Sequence, residues 1–382
     1  MKKIIAIILA LSLAMTMAAC SKSKKKTPAP TTGADQNPTA VQTQPTQPTT
    51  PTAEPETMIS VSVGADTENT TASNGAVIFQ HTKQKMSLVL HKPEVAEKII
   101  IDFLTRVDST DKDAAAIESA AKSAYNSNKN WVPYFYRLTY NPTRIDETVL
   151  SLFADKITYS GAAHPDRYCA AVSYDLTTGD VLTLASIMTK EAKTDDFCKL
   201  VLEELSGRAE GDYLYENYAD VVNQRFTADP TQDLGWYFST NGLCFYFVPY
   251  EIAPYASGVI NVEIPYAKLQ GLLYPDYFPA QRPTAAGKAQ ISDFTLDLAD
   301  SFNHTAELVM DTEEKMYLVH AEGTIQDIRI VHTDTSGSYT VFAANSLSAG
   351  EAILIQANDD IAKNLELSYL SNGQTVKMPI LK

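Results

Sequence analysis

The sequence has few of the residues that hold metals or carry out nucleophilic catalysis. It contains 4 cysteines and 6 histidines among 382 residues, and His164 is the single histidine between His91 and His304. No cysteine or histidine spacing matches a zinc site, and the sequence has no Gly-x-Ser-x-Gly elbow, phosphate loop or Gly-x-Gly-x-x-Gly segment. We therefore predict no metal and no cofactor, and we assign no catalytic residue.

Positive charge is also scarce. Lysine and arginine number 31 against 46 acidic residues, which gives a formal net charge of -15. Nucleic-acid binding needs a basic surface that displaces counterions, so this balance excludes a nucleic acid as partner. The length favours two folded domains with additional segments.

The N-terminus carries the strongest pattern. Lys2 and Lys3 precede an uncharged apolar run from Ile4 to Met17 that is too short to span a membrane, as in a signal peptide. The following Met17-Ala18-Ala19-Cys20 resembles the lipobox of bacterial lipoproteins, although Leu is commoner where Met17 stands. The resemblance implies that a palmitate-type lipid on Cys20 anchors the protein to the outer face of the cell membrane. The alternative is a plain secreted protein with an accidental cysteine.

Residues 21–57 have the composition of a tether. Thr27 to Thr57 contains 7 of the 19 prolines and no aromatic residue, so it offers too little apolar surface to fold. Beyond the tether, Cys169, Cys198 and Cys244 have apolar neighbours. Three cysteines allow at most one disulfide, and the apolar neighbours favour buried free thiols, although whether any two of them pair stays open.

Residues 58–280 show the patterns of an α+β fold, with an antiparallel sheet packed by helices. Helices are predicted from Pro93, over 114–125, from Asp195 and over 213–226. Asn241-Gly242 predicts a two-residue hairpin loop, because both residues accept positive φ. The predicted strands are 76–81 and 86–90 as a hairpin, 131–140, 148–159, 169–176, 181–184, 236–239, 243–248 and 259–264.

Residues 290–382 show short alternating runs without a helical period. Turn signals at 334–338 and 371–373 connect predicted strands, and this spacing is typical of an immunoglobulin-like β-sandwich.

Two motifs are more specific than these patterns. One is Ser160-Gly161-Ala162-Ala163-His164-Pro165, followed by 173–179. The other runs from 243–248 into Pro249-Tyr250-Glu251-Ile252-Ala253-Pro254-Tyr255-Ala256-Ser257-Gly258 and then 262–266. Together they resemble the extracytoplasmic domain of unknown function shared by the lysozyme-sensing anti-sigma factor RsiV and the wall deacetylase PdaC.

The resemblance implies a companion module at 58–159 and the domain of unknown function at 160–280, and the strand spacing adds a β-sandwich at 290–382. It implies an exported recognition domain. The sequence departs from both relatives, since it contains neither a cytoplasmic sigma-factor segment nor a deacetylase domain. The ligand therefore stays open between peptidoglycan and a lysozyme-like protein.

The motifs supply the candidate ligand-binding residues His164, Asp166, Tyr250, Glu251 and Tyr255. For His164 the alternative is a ring that fixes the backbone of its loop. For Glu251 the alternative is a carboxylate that accepts backbone N–H bonds. A third possibility is that Glu251 and Asp166 form an acid and base pair acting on a glycan.

Tyrosine is abundant in this region, with 17 of the 20 tyrosines between Tyr125 and Tyr277. Tyrosine suits recognition surfaces, but it is equally common at half-buried strand positions. We therefore predict a lipid-anchored binding or sensing module of the cell envelope. The alternatives are an envelope glycan hydrolase that uses Glu251 and Asp166, and a purely structural spacer.

Overall fold

The structure is a computed structural model that describes residues 58–107, 110–126, 130–208, 213–227, 234–280, 284–295, 304–310, 315–334 and 337–381. The predicted signal peptide (1–20), with Cys20, and the tether (21–57) lie outside these residues. Within the described ranges, no helix has both the length and the hydrophobicity needed to cross a bilayer.

The described chain is mostly β-sheet, with helices packed on the sheets. The strands are β1 Ser60–Thr71, β2 Val77–Val89, β3 Tyr134–Ile145, β4 Val149–Tyr159, β5 Asp166–Asp175, β6 Trp236–Phe238, β7 Gly242–Phe247, β8 Ile260–Pro265, β9 Lys288–Thr295, β10 Ala306–Val309, β11 Lys315–Glu322, β12 Ile325–Asp334, β13 Gly337–Leu347, β14 Ala352–Gln356, β15 Leu365–Ser371 and β16 Gln374–Pro379. The helices are α1 Pro93–Val107, α2 Thr110–Ala124, α3 Leu184–Ile187, α4 Thr194–Ser206, α5 Tyr218–Thr227 and α6 Asp359–Ala362.

The largest sheet has nine strands in the order β16-β15-β12-β13-β1-β2-β3-β4-β5. All neighbours are antiparallel except β2 and β3. At the centre of this sheet an early strand pairs with a late one, because Ser60 of β1 lies opposite Ala344 of β13. Strands from the predicted companion module and from the predicted β-sandwich therefore share one sheet.

Three large hydrophobic cores hold the described sheets and helices together, and a fourth, small cluster lies on β11 and β14. The first lies under α1, where Val95, Ile99, Phe103 and Val107 form the buried face that their four-residue spacing predicts. The second lies between the β12–β13–β15 part of the large sheet and the sheet β10-β14-β11-β9. The third packs α4 and α5 on the sheet β6-β7-β8, and it positions the candidate site.

The architecture is consistent with the predicted α+β class, with several antiparallel sheets. The immunoglobulin-like arrangement of the C-terminal region stays a prediction. The helix from Asp195 and the hairpin at 371–373 form where the sequence places them, and β12 and β13 pair antiparallel with Asp334 opposite Gly337.

Some predicted elements differ in their pairing or extent, among them the helix predicted over 213–226, which begins only at Tyr218. Residues 76–90 do not form a hairpin, because β2 runs through them and pairs with β1. The turn falls earlier, at Ala72–Gly75, where Gly75 has φ 82°. The strand predicted at 181–184 is reduced to one bridge between Tyr174 and Val181, and Thr183 then caps α3.

The hairpin at Asn241-Gly242 forms, but not with positive φ at either residue. Ser239 Oγ instead accepts hydrogen bonds from the backbone N–H groups of Asn241 and Gly242, at 3.2 and 3.0 Å. Glycine is required there because an added Cβ would lie 2.0 Å from the carbonyl oxygen of Ile264. By contrast, Asn372 and Gly373 have the φ values of 52° and 72° expected of a two-residue loop.

Candidate functional site

The two sequence motifs meet in space. The first forms the connection between β4 and β5, and the second follows β7. The Tyr250 hydroxyl lies 3.0 Å from His164 Nε2, although the two residues are 86 positions apart. The two loops thus contact each other directly.

Three rings form what we call the aromatic cluster: His164, Tyr250 and Tyr255. The His164 and Tyr255 rings stack, with centroids 4.1 Å apart and planes 24° apart. Tyr250 lies 5.7 Å from Tyr255 and 5.8 Å from His164, centroid to centroid, and is 56% exposed. The cluster therefore presents aromatic surface to solvent.

The hydrogen bonds of His164 fix its tautomer. Nδ1 lies 3.0 Å from the carbonyl oxygen of Pro165, which can only accept. In the neutral ring Nδ1 therefore donates, and Nε2 accepts from the Tyr250 hydroxyl. Nδ1 thus bonds to the backbone of its own loop, which is the alternative role that the sequence analysis gives His164. Nε2 bonds to Tyr250 on the opposite loop.

Tyr250 adopts a backbone conformation that tyrosine disfavours. The N–H of Glu251 donates to the carbonyl of Val248 at 3.1 Å, which closes a β-turn with Pro249 second and Tyr250 third. Tyr250 has φ 72°, the conformation that favours Gly or Asn at the third position of a type II turn. An L-residue with a Cβ costs about 1–2 kcal/mol there. The fold thus keeps an exposed aromatic ring where glycine would be less strained.

Glu251 anchors this turn to α5. Its Oε1 accepts from Arg225 Nη1 at 2.6 Å, and its Oε2 accepts from the backbone N–H of Val248 at 3.0 Å. The two side chains are 18% and 21% exposed, so solvent screens the pair less than a surface pair. Both carboxylate oxygens therefore stabilise the loop. Accepting a backbone N–H bond is the alternative role that the sequence analysis gives Glu251.

Asp166 lies apart from these contacts. It is the first residue of β5, opposite Thr158, and it is exposed. Within the described part of the chain, no hydrogen bond or ion pair joins Asp166 to Glu251. The structure brings together His164, Tyr250 and Tyr255, and it leaves Asp166 outside the aromatic cluster.

Arg167 is a site residue that the sequence did not reveal. Its Nε and Nη2 hold Asp155 of β4 in a bidentate pair at 2.8 and 2.5 Å. Burial opposes its charge, but the hydrogen bonds and charge of Asp155 raise the pKa of Arg167. Its Nη1 lies beside Gly258, 3.9 Å from where a Cβ would be. Only the cross-strand register of β4 and β5 could have predicted this placement.

A cleft of about 530 Å³ runs beside the aromatic cluster; we call it the β5 cleft. Seven consecutive residues of β5, 167–173, line it together with Glu251 and the side chains of Arg106, Arg225 and Trp236. Successive side chains of a strand point to opposite faces, so a consecutive run of lining residues means that the edge of the strand borders the cleft. Sequence patterns do not show which strand ends a sheet.

Burial separates the tyrosines into a buried group and an exposed group. Tyr136, Tyr140 and Tyr174 are fully buried in the first core, whereas Tyr168, Tyr213 and Tyr250 are more than half exposed.

The three described cysteines are buried and form no disulfide, as predicted. Burial, with smaller contributions from nearby acidic groups, raises the pKa of Cys169 to about 12 and that of Cys244 to about 11. In the described ranges no three His, Cys, Asp or Glu side chains are grouped so that they could hold a metal ion.

Comparison with known proteins gives a family of unknown function. The model of the family described as "Protein of unknown function (DUF3298)" matches residues 183–267. No curated protein matches the chain. The matched segment includes the whole of the second motif, whereas Ser160 to Pro165 lies before it.

Solved structures of the same family are similar to the chain. A DUF3298 family member from Bacteroides fragilis has 17% identity and a TM-score of 0.40, covering 56% of this chain and 94% of its own. A DUF3298 family protein from Pseudomonas aeruginosa has 17% identity and a TM-score of 0.40, covering 58% of this chain and 97% of its own. The chain thus contains a DUF3298 match, while the more specific resemblance to RsiV and PdaC stays a prediction.

Proposed function

We propose that the protein is a lipid-anchored binding or sensing module of the cell envelope, and that the aromatic cluster contacts its ligand. The observation that carries the proposal is Tyr250, an exposed aromatic residue held at positive φ. Strained backbone at an exposed residue is typical of a functional site, because packing alone would favour a relaxed turn.

The ligand class follows from the surface that the cluster offers. Tyrosine gives a large contact area and a polar tip at little entropic cost, which suits a protein surface or a wall glycan. The net charge of -15 argues against nucleic acid. We therefore propose a lysozyme-like protein or peptidoglycan as the partner, in keeping with the resemblance to RsiV and PdaC.

The anchor and the domain arrangement complete the proposal. Cys20 would carry the lipid and hold the protein at the outer face of the membrane, and residues 21–57 would act as the tether. The C-terminal region would be an immunoglobulin-like sandwich. Labelled palmitate entering the wild-type chain but not Cys20→Ser supports the anchor, and label in both chains contradicts it.

Binding is tested with the full chain against lysozyme and against soluble peptidoglycan fragments. Tyr250→Ala and Tyr255→Ala each remove one ring of the cluster, and Tyr213→Ala removes a ring that is 75% exposed and is not a member of the cluster. A ligand that binds the folded state raises the melting temperature by mass action. We expect one ligand class to raise it for the wild type and Tyr213→Ala, and to raise it much less for the two cluster variants. No rise with either class, or equal rises for all variants, contradicts the proposal.

A further inference from the structure

We propose that a cleft lined by β1, β2, β3 and the β12–β13 hairpin binds an organic monocarboxylate, whose carboxylate group is held by Arg137. The inference goes beyond the proposed function, because this cleft shares no lining residue with the aromatic cluster. It depends on two hydrogen-bond donors that the fold leaves without partners, and on the charged and apolar side chains around them.

The cleft has the size of a small-molecule site. Its volume is about 760 Å³, and ligand pockets in proteins typically measure about 300–1,000 Å³. Residues of β1 and β2 supply most of the lining, and β3, β10 and the β12–β13 hairpin supply the rest together with Ile361. We call it the Gln84 cleft, after its most deeply buried polar side chain.

The first donor is the side-chain amide of Gln84, which lines the cleft and is 2% exposed. Its Oε1 accepts a hydrogen bond from the backbone N–H of Tyr140. Because a backbone N–H can only donate, this bond fixes which end of the amide is oxygen and which is nitrogen. Nε2 is buried and has no hydrogen-bond partner among the described residues. A buried donor without a partner keeps its full desolvation cost, so an acceptor atom brought to it is favourable.

The second donor is the guanidinium of Arg137 on β3. Its Cζ lies 6.0 Å from the centroid of the Phe135 ring, and within the described part of the chain it makes no hydrogen bond or ion pair. The other described arginines each donate to at least one acceptor: Arg106, Arg144, Arg167, Arg208, Arg225 and Arg329. Arg137 is half-buried, so its charge is only partly hydrated and lacks a described carboxylate to balance it.

Strand register places both donors on one face of the sheet. Arg137 lies opposite Thr82 of β2, and Thr82 lies opposite Thr67 of β1. Gln84 follows Thr82 by two residues, so its side chain is on the same face, about 7 Å further along the strand. The hydroxyl oxygens of Thr67 and Thr82 lie 2.9 Å apart, and this contact uses one of their two protons. The four side chains therefore supply donors along one wall of the cleft.

The charges of the lining favour a ligand with a single negative charge. Arginine binds a carboxylate with paired, charge-assisted hydrogen bonds, so Arg137 selects that group. Lys85, Glu307 and Asp334 also line the cleft, but all three are exposed and solvent screens their charges. Burial lowers the pKa of His332, the remaining titratable side chain beside Tyr339, which keeps its ring neutral near pH 7. The two exposed carboxylates oppose a second negative charge, so a monocarboxylate fits better than a phosphate.

Apolar side chains in the same cleft indicate that the ligand has an apolar body. They are Met86, Val309, Met310 and Ile361. Methionine is unbranched and adapts to irregular apolar shapes. A ligand that carries an alkyl or similar group beside its carboxylate gains free energy by burying that group against these side chains. The lining therefore favours an amphiphilic monocarboxylate over a bare anion such as acetate.

The test uses the full chain with octanoate as the probe. One control is octanamide, which has the same apolar body without the charge, and the other is octyl phosphate, which carries more negative charge. We expect octanoate to bind at least tenfold more tightly than either control in calorimetry at pH 7.5. No binding of octanoate, or equal binding of octanamide, overturns the proposal. Binding of octyl phosphate as tight as that of octanoate overturns the assignment to a monocarboxylate.

Matched variants locate the binding. Arg137→Gln removes the half-buried charge from the cleft, and Arg106→Gln removes an exposed arginine that does not line it. We expect Arg137→Gln to lose at least tenfold in octanoate affinity and Arg106→Gln to bind normally. Gln84→Glu keeps an acceptor for the Tyr140 N–H but replaces the unpartnered Nε2 with an oxygen, so it should also lose at least tenfold. Unchanged binding by folded Arg137→Gln overturns the proposal; if that variant unfolds, unchanged binding by Gln84→Glu does so.

Discussion

Replacing Tyr250 tests whether its turn is strained. Tyr250→Ala and Tyr250→Gly lose the same contacts with His164 and Tyr255, but only glycine relieves the positive φ of 72°. Relief is worth about 1–2 kcal/mol, and glycine costs about 0.5–1 kcal/mol through the entropy of the unfolded chain. We therefore expect the glycine variant to be more stable than the alanine variant by about 0.5–1 kcal/mol.

Urea unfolding at neutral pH measures this difference, and Tyr213 supplies the control. Tyr213 is exposed and does not have positive φ, so glycine there should be less stable than alanine by about 0.4–1 kcal/mol. The order of the two variants should reverse between the sites. The same order at both sites would refute the strain at Tyr250 and remove the main support for the proposed function.

Three further predictions concern single residues. Gly242→Ala should destabilise the protein by about 1–3 kcal/mol in urea, because its Cβ would meet the Ile264 carbonyl at 2.0 Å; Gly207→Ala, with 3.5 Å of space, should be near neutral. Cys169, with its pKa raised to about 12, should react with a thiol reagent at pH 8 only when urea unfolds the chain, as peptide mapping would show; rapid labelling of the native protein contradicts this. Burial lowers the pKa of His332, so the unfolded chain takes up its proton first and stability falls as pH drops below about 6.5. His332→Gln should make the urea midpoint depend less on pH between 7.5 and 5.5, and an unchanged slope would show that other groups control it.

Sequence signals that act over a few neighbouring residues correctly predicted a helix start and a hairpin loop. The acidic pair at Asp195 and Asp196 opens α4, because negative charge is favourable at a helix N-terminus. Asn372-Gly373 forms its hairpin loop because both residues tolerate positive φ. The hairpin predicted within 76–90 is wrong because residues 82–85 contain no turn residue, and β2 runs through them as one strand.

The missed features depend on pairing between distant parts of the chain. No sequence pattern near Asp155 or Arg167 indicates that the two residues lie on adjacent strands. Likewise, the ion pair of Arg225 with Glu251 depends on how α5 packs beside β7. The two motifs supplied the residues of the aromatic cluster as candidates but did not predict that their rings contact one another, and the β5 cleft depends on strand order in the sheet.

The pairing of β1 with β13 determines when the chain can finish folding. A ribosome releases Ser60 long before Ala344, so residues 60–62 of the newly made β1 wait with one side unpaired. During that interval the unpaired strand edge is a template for aggregation. Binding by a chaperone, or transport of the chain in its unfolded state, would protect this edge. For the same reason, expression of a fragment that stops before β13 should give insoluble material even where every remaining segment is intact.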